Sequence, residues 1–142
     1  MRYSDIDLQI EDVMWFAVDR NGKIGAFTSG GCANVPEFVC KSREDNKALY
    51  DYFMYHFPDS TCGELFYVPR GGSLEEDCVL LVGKGIICFD VYMGKDYYVK
   101  VATTGLSAIF DDLADNIKTI MKDHVIDADF TVDTNIHVVS GV

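Results

Sequence analysis

The sequence predicts an α+β domain in which a mainly antiparallel sheet, built from two hairpins and extra strands, packs against about three helices. Three observations carry that expectation. Two pairs of strand-forming runs flank the tight-turn dipeptides Asn21-Gly22 and Gly94-Lys95. Between and after them, apolar residues recur at spacings of three and four, the period of an amphipathic helix. The chain has 142 residues, 49% of them hydrophobic, which suits one globular domain spanning 1–142 with a packed interior.

The first hairpin runs from Asp12 to Ser29. Asn21-Gly22 would supply the two positive-φ residues of a type I′ turn, and Trp15, Phe16, Val18, Ile24 and Phe27 favour strands. Pro36 and Glu37 then suit a helix start, and Ser42-Arg-Glu-Asp45 is a second start signal where the helix restarts or bends. The main helix is expected from Glu44 to Phe57. Leu49, Tyr52, Phe53 and His56 form its core stripe, with Glu44, Lys47, Asp51 and Tyr55 on the opposite side.

Glu64–Val68 reads as a short strand closed by Pro69-Arg-Gly-Gly72. Ser73-Leu-Glu-Glu76 is a capping-box pattern that favours a helix over 74–82, although Val79–Val82 would also suit a buried strand. Ile86–Met93 and Asp96–Ala102 flank Gly94-Lys95 as a second hairpin with a type II′ turn. One of its faces carries Ile86, Cys88, Asp90, Tyr92, Tyr97, Val99 and Val101; the other carries Ile87, Phe89, Val91, Tyr98 and Lys100. Both faces are largely apolar, so this hairpin belongs inside a sheet covered by helices. Ile109, Leu113, Ile117, Ile120 and Met121 mark a last helix, acidic early and basic late, and Phe130–Val139 a final strand.

Composition narrows the function. Twelve Lys and Arg against twenty-three Asp and Glu leave a net charge of −11, a surface that repels phosphate backbones and anionic headgroups and attracts a basic protein. The start of the chain lacks the pattern of a secretion signal, and no apolar run approaches a membrane span, so a cytoplasmic protein is expected. The cysteines at 32, 40, 62, 78 and 88 are odd in number and unpaired in spacing, which predicts free thiols, most of them buried.

Few segments suggest chemistry. Thr28-Ser29-Gly30-Gly31 leaves a strand just before a helix, where backbone N–H groups could hold an anion, but it does not fit G-x-G-x-x-G; nor is Gly83-Lys84-Gly85 a Walker A loop. Asp127, Asp129 and Asp133 lack the glycine and glutamate of a calcium loop, with Val132 and Val138 in those places. His56, His124 and His137 fit no metal spacing, so no metal or cofactor is implied, and His56 reads as a core histidine. Asp90, inside a hairpin face, would be a functional acid if buried. Tyr55 stands among charges as a protein-interface anchor would.

Trp15-Phe16-Ala17-Val18-Asp19, Asn21-Gly22, Ile24, Phe27-Thr28-Ser29-Gly30-Gly31 and Pro36-Glu37 resemble the opening of small acidic bacterial proteins regarded as immunity proteins of polymorphic toxin systems. The likeness covers about residues 12–37, with a looser echo in Gly85–Val101. The aromatic-Asn-Gly-Gly element of the SUKH superfamily is missing, so the chain is not placed there. The resemblance implies a cytosolic, non-catalytic antidote encoded beside the toxin it neutralises. Two expectations follow. In the first, an acidic surface around Asp51 and Tyr55, or around Asp111, Asp112 and Asp115, covers a basic toxin domain. In the second, a small enzyme or ligand-binding domain uses Ser29, Gly30, Gly31 and a buried Asp90. A deep cleft joining the latter residues would favour the second.

Overall fold

The computed structural model describes residues 1–60, 65–67, 76–92 and 94–142. Strands β1 (Met14–Val18), β2 (Ile24–Thr28), β3 (Leu65–Tyr67), β4 (Ile87–Tyr92), β5 (Gly94–Thr104) and β6 (Asn135–His137) form one sheet, ordered β1-β2-β4-β5-β3, with β6 also on β5. All pairings are antiparallel except β2 with β4, where Gly25 to Thr28 run parallel to Ile87 to Asp90. That parallel contact joins the two hairpins. The fold is α+β, as the sequence predicts.

The sheet has a core on each face. Alternation in β1 sends Phe16 and Val18 to one side, against Leu49, Phe53, Leu81, Leu113, Ile117 and Met121. These come from α3 (Arg43–Asp51), the turn after it, α4 (Glu76–Val82), and α5 (Asp115–Met121) with the segment before it. Trp15 and Ala17 face the other side, under Tyr3 and Leu8, the latter in α1 (Asp5–Ile10), and under Val39 of α2 (Glu37–Cys40). There Trp15 stacks on Phe27 at 4.1 Å between centroids, and Phe27 stacks on Phe89 at 4.7 Å. The buried Trp15 indole donates to the Tyr98 hydroxyl at 3.1 Å, which donates to the Asn34 carbonyl at 2.6 Å, so both polar atoms are paired.

Helix α1 is not among the predicted elements, although Ser4 and Asp7 carry its signal. Ser4 Oγ accepts the Asp7 N–H and Asp7 Oδ2 accepts the Ser4 N–H, a reciprocal cap. Helix α4 lies where expected; its proposed cap, Ser73, and the breaker Pro69–Gly72 are outside the described residues. Val91↔Tyr98, Asp90↔Val99 and Phe89↔Lys100 keep the register predicted for the second hairpin, which slips at Cys88↔Ala102 and again past Val91, where Tyr92 pairs with Gly94, so Gly94 and Lys95 belong to β5 and not to a two-residue type II′ turn. Its tip includes Met93, which also lies outside them.

Four further expectations need correction. The first turn is not type I′, because only Gly22 has positive φ (79°). Gly22 N–H donates to the Asp19 carbonyl, and the buried Asp19 Oδ1 accepts N–H groups of Asn21 and Lys23, fixing a three-residue loop with glycine last.

The helix from Glu44 to Phe57 is not uniform. After α3 it widens into a π-helical turn, Tyr52–His56, closed by Phe57 N–H on the Tyr52 carbonyl. Widening brings Phe53, Met54 and Phe57 inward and leaves His56 exposed rather than in the core.

The helix across 109–122 is broken. Ile109 pairs in an isolated bridge with Lys23, and Phe110 N–H donates to the Gly22 carbonyl, so the segment starts as an extended strand beside the hairpin tip. A 3₁₀ turn, Phe110–Asp112, follows, and Leu113 and Ala114 are extended (ψ 151° and 150°) before α5 begins. Tyr52 Oη accepts the Ala114 N–H freed by this break. Leu113, Ile117 and Met121 remain buried while Ile109 is exposed.

The last strand is only Asn135–His137, not Phe130–Val139. Asp129 and Asp133 tie 129–133 into a turn, and the Phe130 N–H is taken by Asp19 Oδ2 at 2.8 Å. The Phe130 ring then lies on the sheet over Gly25, where an added Cβ would come within 2.8 Å of it.

Candidate functional site

The acidic face begins on α3, whose start is fixed by Ser42 Oγ accepting the Asp45 N–H at 3.1 Å. From there Lys47 and Asp51 pair at 2.7 Å along one side of the helix. The π-helical turn then carries Tyr55 into solvent, 68% exposed, with its ring edge toward Tyr50 at 6.3 Å. Burial first, and then the negative charge of Asp77, raise the Tyr50 hydroxyl above its ordinary range, with Tyr55 and Asp51 adding to the effect. The fold thus brings Asp51, Tyr55, Tyr50 and Asp77 together from α3, the π turn and α4. Asp51 and Tyr55 were read from the sequence; Tyr50 and Asp77 were not. Tyr50 lies off the predicted apolar stripe, which is the signal that could have found it, whereas Asp77 reaches the site only through tertiary packing.

This face continues into a groove of about 410 Å³ whose lining includes Tyr50, Asp77, Lys47, Asn46, Asp12 and Glu11. Tyr3 and Tyr50 beside Glu11, Asp12 and Asp77 give it an aromatic wall and a negative rim.

Asp111, Asp112 and Asp115 are exposed, as a partner surface requires. Asp112 is in part a structural residue, since its Oδ2 accepts the Ile109 N–H at 3.1 Å. The Tyr52–Ala114 hydrogen bond ties this segment to the turn that carries Tyr55. The two acidic segments therefore adjoin on one layer of the molecule.

The loop at Ser29, Gly30 and Gly31 is built differently from an anion site. Its donors serve the chain itself: Ser29 N–H goes to the Val13 carbonyl, Gly30 N–H to Asp12 Oδ1 at 2.8 Å, and Gly31 N–H to Ser29 Oγ at 3.5 Å. Ser29 is fully buried, and its Oγ also accepts the Val13 N–H. A carboxylate already occupies the place an anion would take. Thr28 pairs with Asp90 across β2 and β4, so the loop and Asp90 are neighbours. Asp90 is partly exposed rather than buried, because it nears the open end of β4, and its Oδ1 accepts the Val91 N–H.

His124 is buried, its Nδ1 3.1 Å from the Phe16 carbonyl, and burial lowers its pKa below the ordinary value. Among the described residues, no group of three or more His, Cys, Asp or Glu could hold a metal ion. Cys40, Cys78 and Cys88 are buried thiols and Cys32 is an exposed one; Cys62 lies outside the described residues. No described helix is long and apolar enough to cross a membrane. No family model, no curated protein and no solved structure matches this chain.

Proposed function

We propose that this chain is a non-catalytic, cytoplasmic binding protein of the immunity type, whose acidic face covers a basic toxin domain. The observation that carries the reading is Tyr55, held 68% exposed by the π-helical turn, beside Asp51, Tyr50 and Asp77 on a chain of net charge −11. An exposed aromatic anchor ringed by like charges suits an interface that captures by electrostatics and holds by aromatic burial. Covering the toxin's active site requires no group of this chain to react.

The test is co-expression with the toxin domain expected from the neighbouring gene, with cell survival and complex formation by size-exclusion light scattering as readouts. The proposal expects a stable complex and survival, both lost with Tyr55→Ala combined with Asp51→Lys. Full protection by a protein that forms no complex with the toxin would overturn it.

A further inference from the structure

We infer that the outer edge of β6 is a docking strand, which takes an extended basic segment of a partner protein as an added strand of the sheet. The inference goes beyond the acidic-face reading and does not depend on it.

The register of β6 leaves this edge bare. Lys100 N–H donates to the Thr134 carbonyl and Val138 N–H to the Asp96 carbonyl, both at 2.8 Å, with Tyr98 opposite Ile136 between them. Bonded positions alternate in an antiparallel pair, so residues 134, 136 and 138 turn their backbone groups toward β5, and Asn135 and His137 turn theirs away. Those two N–H and two C=O groups have no hydrogen-bond partner among the described residues, and both side chains are exposed. Such a row is a template for another strand.

The opposite edge of the sheet is covered by the chain itself. Along β1, the Val18 N–H donates to the His124 carbonyl and the Val18 carbonyl accepts from the Ile126 N–H. The Phe16 and Met14 carbonyls are in hydrogen-bond contact with His124 Nδ1 and Asn46 Nδ2. At β6 no such cover exists among the described residues. Residues 129–142 also contain no Lys, Arg or Pro, the residues that commonly guard an edge.

Charge selects the occupant. A second copy would bring together two chains of net charge −11, with Asp96 opposite one end of the run and Asp133 at the other, so self-pairing is opposed and a segment rich in Lys or Arg is attracted. The two faces of the edge set the pattern of that segment. On one, Tyr97 and His137 meet edge to face at 5.1 Å with Tyr97 49% exposed, an aromatic surface for long cationic side chains. On the other, Ile136 and Val138 belong to the core, which alternate apolar residues of the added strand would extend. The segment therefore alternates basic and apolar residues.

The experiment is a ¹⁵N NMR titration of the whole protein with the peptide acetyl-Lys-Val-Lys-Val-Lys-amide and with its glutamate counterpart. The lysine peptide should give saturable shifts concentrated at residues 134–138, with the Asn135 and His137 amide protons moving downfield as they gain acceptors, and the glutamate peptide should give none. His137→Pro deletes an outward N–H while leaving the ladder bonds of residues 134, 136 and 138, so it should abolish the shifts. Asn135→Pro tests the other outward N–H in the same way. His137→Ala keeps the N–H and removes only the ring, and should weaken binding about two- to fivefold, the range of one exposed cation–π contact. No saturable shift in the wild type, an equal response to the glutamate peptide, or shifts that persist in both proline variants would each overturn the inference. Dimerisation of the wild type in light scattering that is lost in His137→Pro would overturn it in favour of a second copy. Because the probe is a peptide, these results stand whether or not the acidic face binds a toxin domain.

Discussion

Lys84 closes the end of the helix that presents Tyr55: its Nζ donates to the Phe53 carbonyl at 2.8 Å and to that of Met54 at 2.9 Å. These carbonyls belong to the π-helical turn, whose last acceptors have no helical partner, and a cation there also complements the helix dipole. Lys84→Ala removes the donor and leaves two buried acceptors. It should lower unfolding free energy by roughly 2–4 kcal/mol. Urea denaturation checks this, and Lys84→Met, which keeps the stem without the charge, should recover only the packing part.

Asp19 performs a similar role at the hairpin tip. Its buried carboxylate accepts from Asn21, Lys23 and Phe130, tying the first turn to a segment 111 positions later. Asp19→Asn places an amide N–H₂ against one of these N–H donors, and the expected loss is about 1–3 kcal/mol in thermal or urea unfolding.

Gly25 has no room for a side chain because the Phe130 ring lies over it. Gly25→Ala should destabilise by about 1–3 kcal/mol, as overpacking does, and Gly25→Ala with Phe130→Leu should lose less than the sum of the single changes. A double-mutant cycle measures the difference.

His124 makes stability depend on pH. Burial lowers its pKa below 6.5, so on acidification the unfolded chain takes up the proton before the folded one. The contribution of the neutral ring is complete above 6.5 and is lost as pH falls through the lower folded value. His124→Gln, which can still donate to the Phe16 carbonyl, should flatten the pH dependence of the urea midpoint between about pH 7 and about pH 5.

The strands and most of the core could be read from the sequence because alternation and turn residues are local. Trp15, Phe16, Phe89, Leu113 and Ile117 are buried as their periodicities imply. What escaped depends on contacts distant in sequence. The parallel pairing of β2 with β4 has no local signature. Spacing alone fits Leu113 and Ile117 to one helix as well as to the observed turn and α5, and only the Lys23–Ile109 bridge and the Tyr52 hydroxyl decide between them. His56 misled for a related reason, since one π turn resets the helical phase for every residue after it. At the candidate site, Asp51 and Tyr55 could be read from helix polarity, whereas Tyr50, Asp77 and Asn46 meet only after α3, α4 and β1 have packed.

The most direct test of the acidic-face account is the association rate with the toxin domain, followed by stopped flow as salt rises, for the wild type, Asp51→Lys, and Asp111→Lys with Asp115→Lys. Asp112 is left unchanged because it caps Ile109. The account predicts a steep fall in wild-type on-rate with salt, and a roughly tenfold lower on-rate with a shallower salt slope for reversal at the contacting segment. An on-rate indifferent to salt and unchanged in both variants would contradict it.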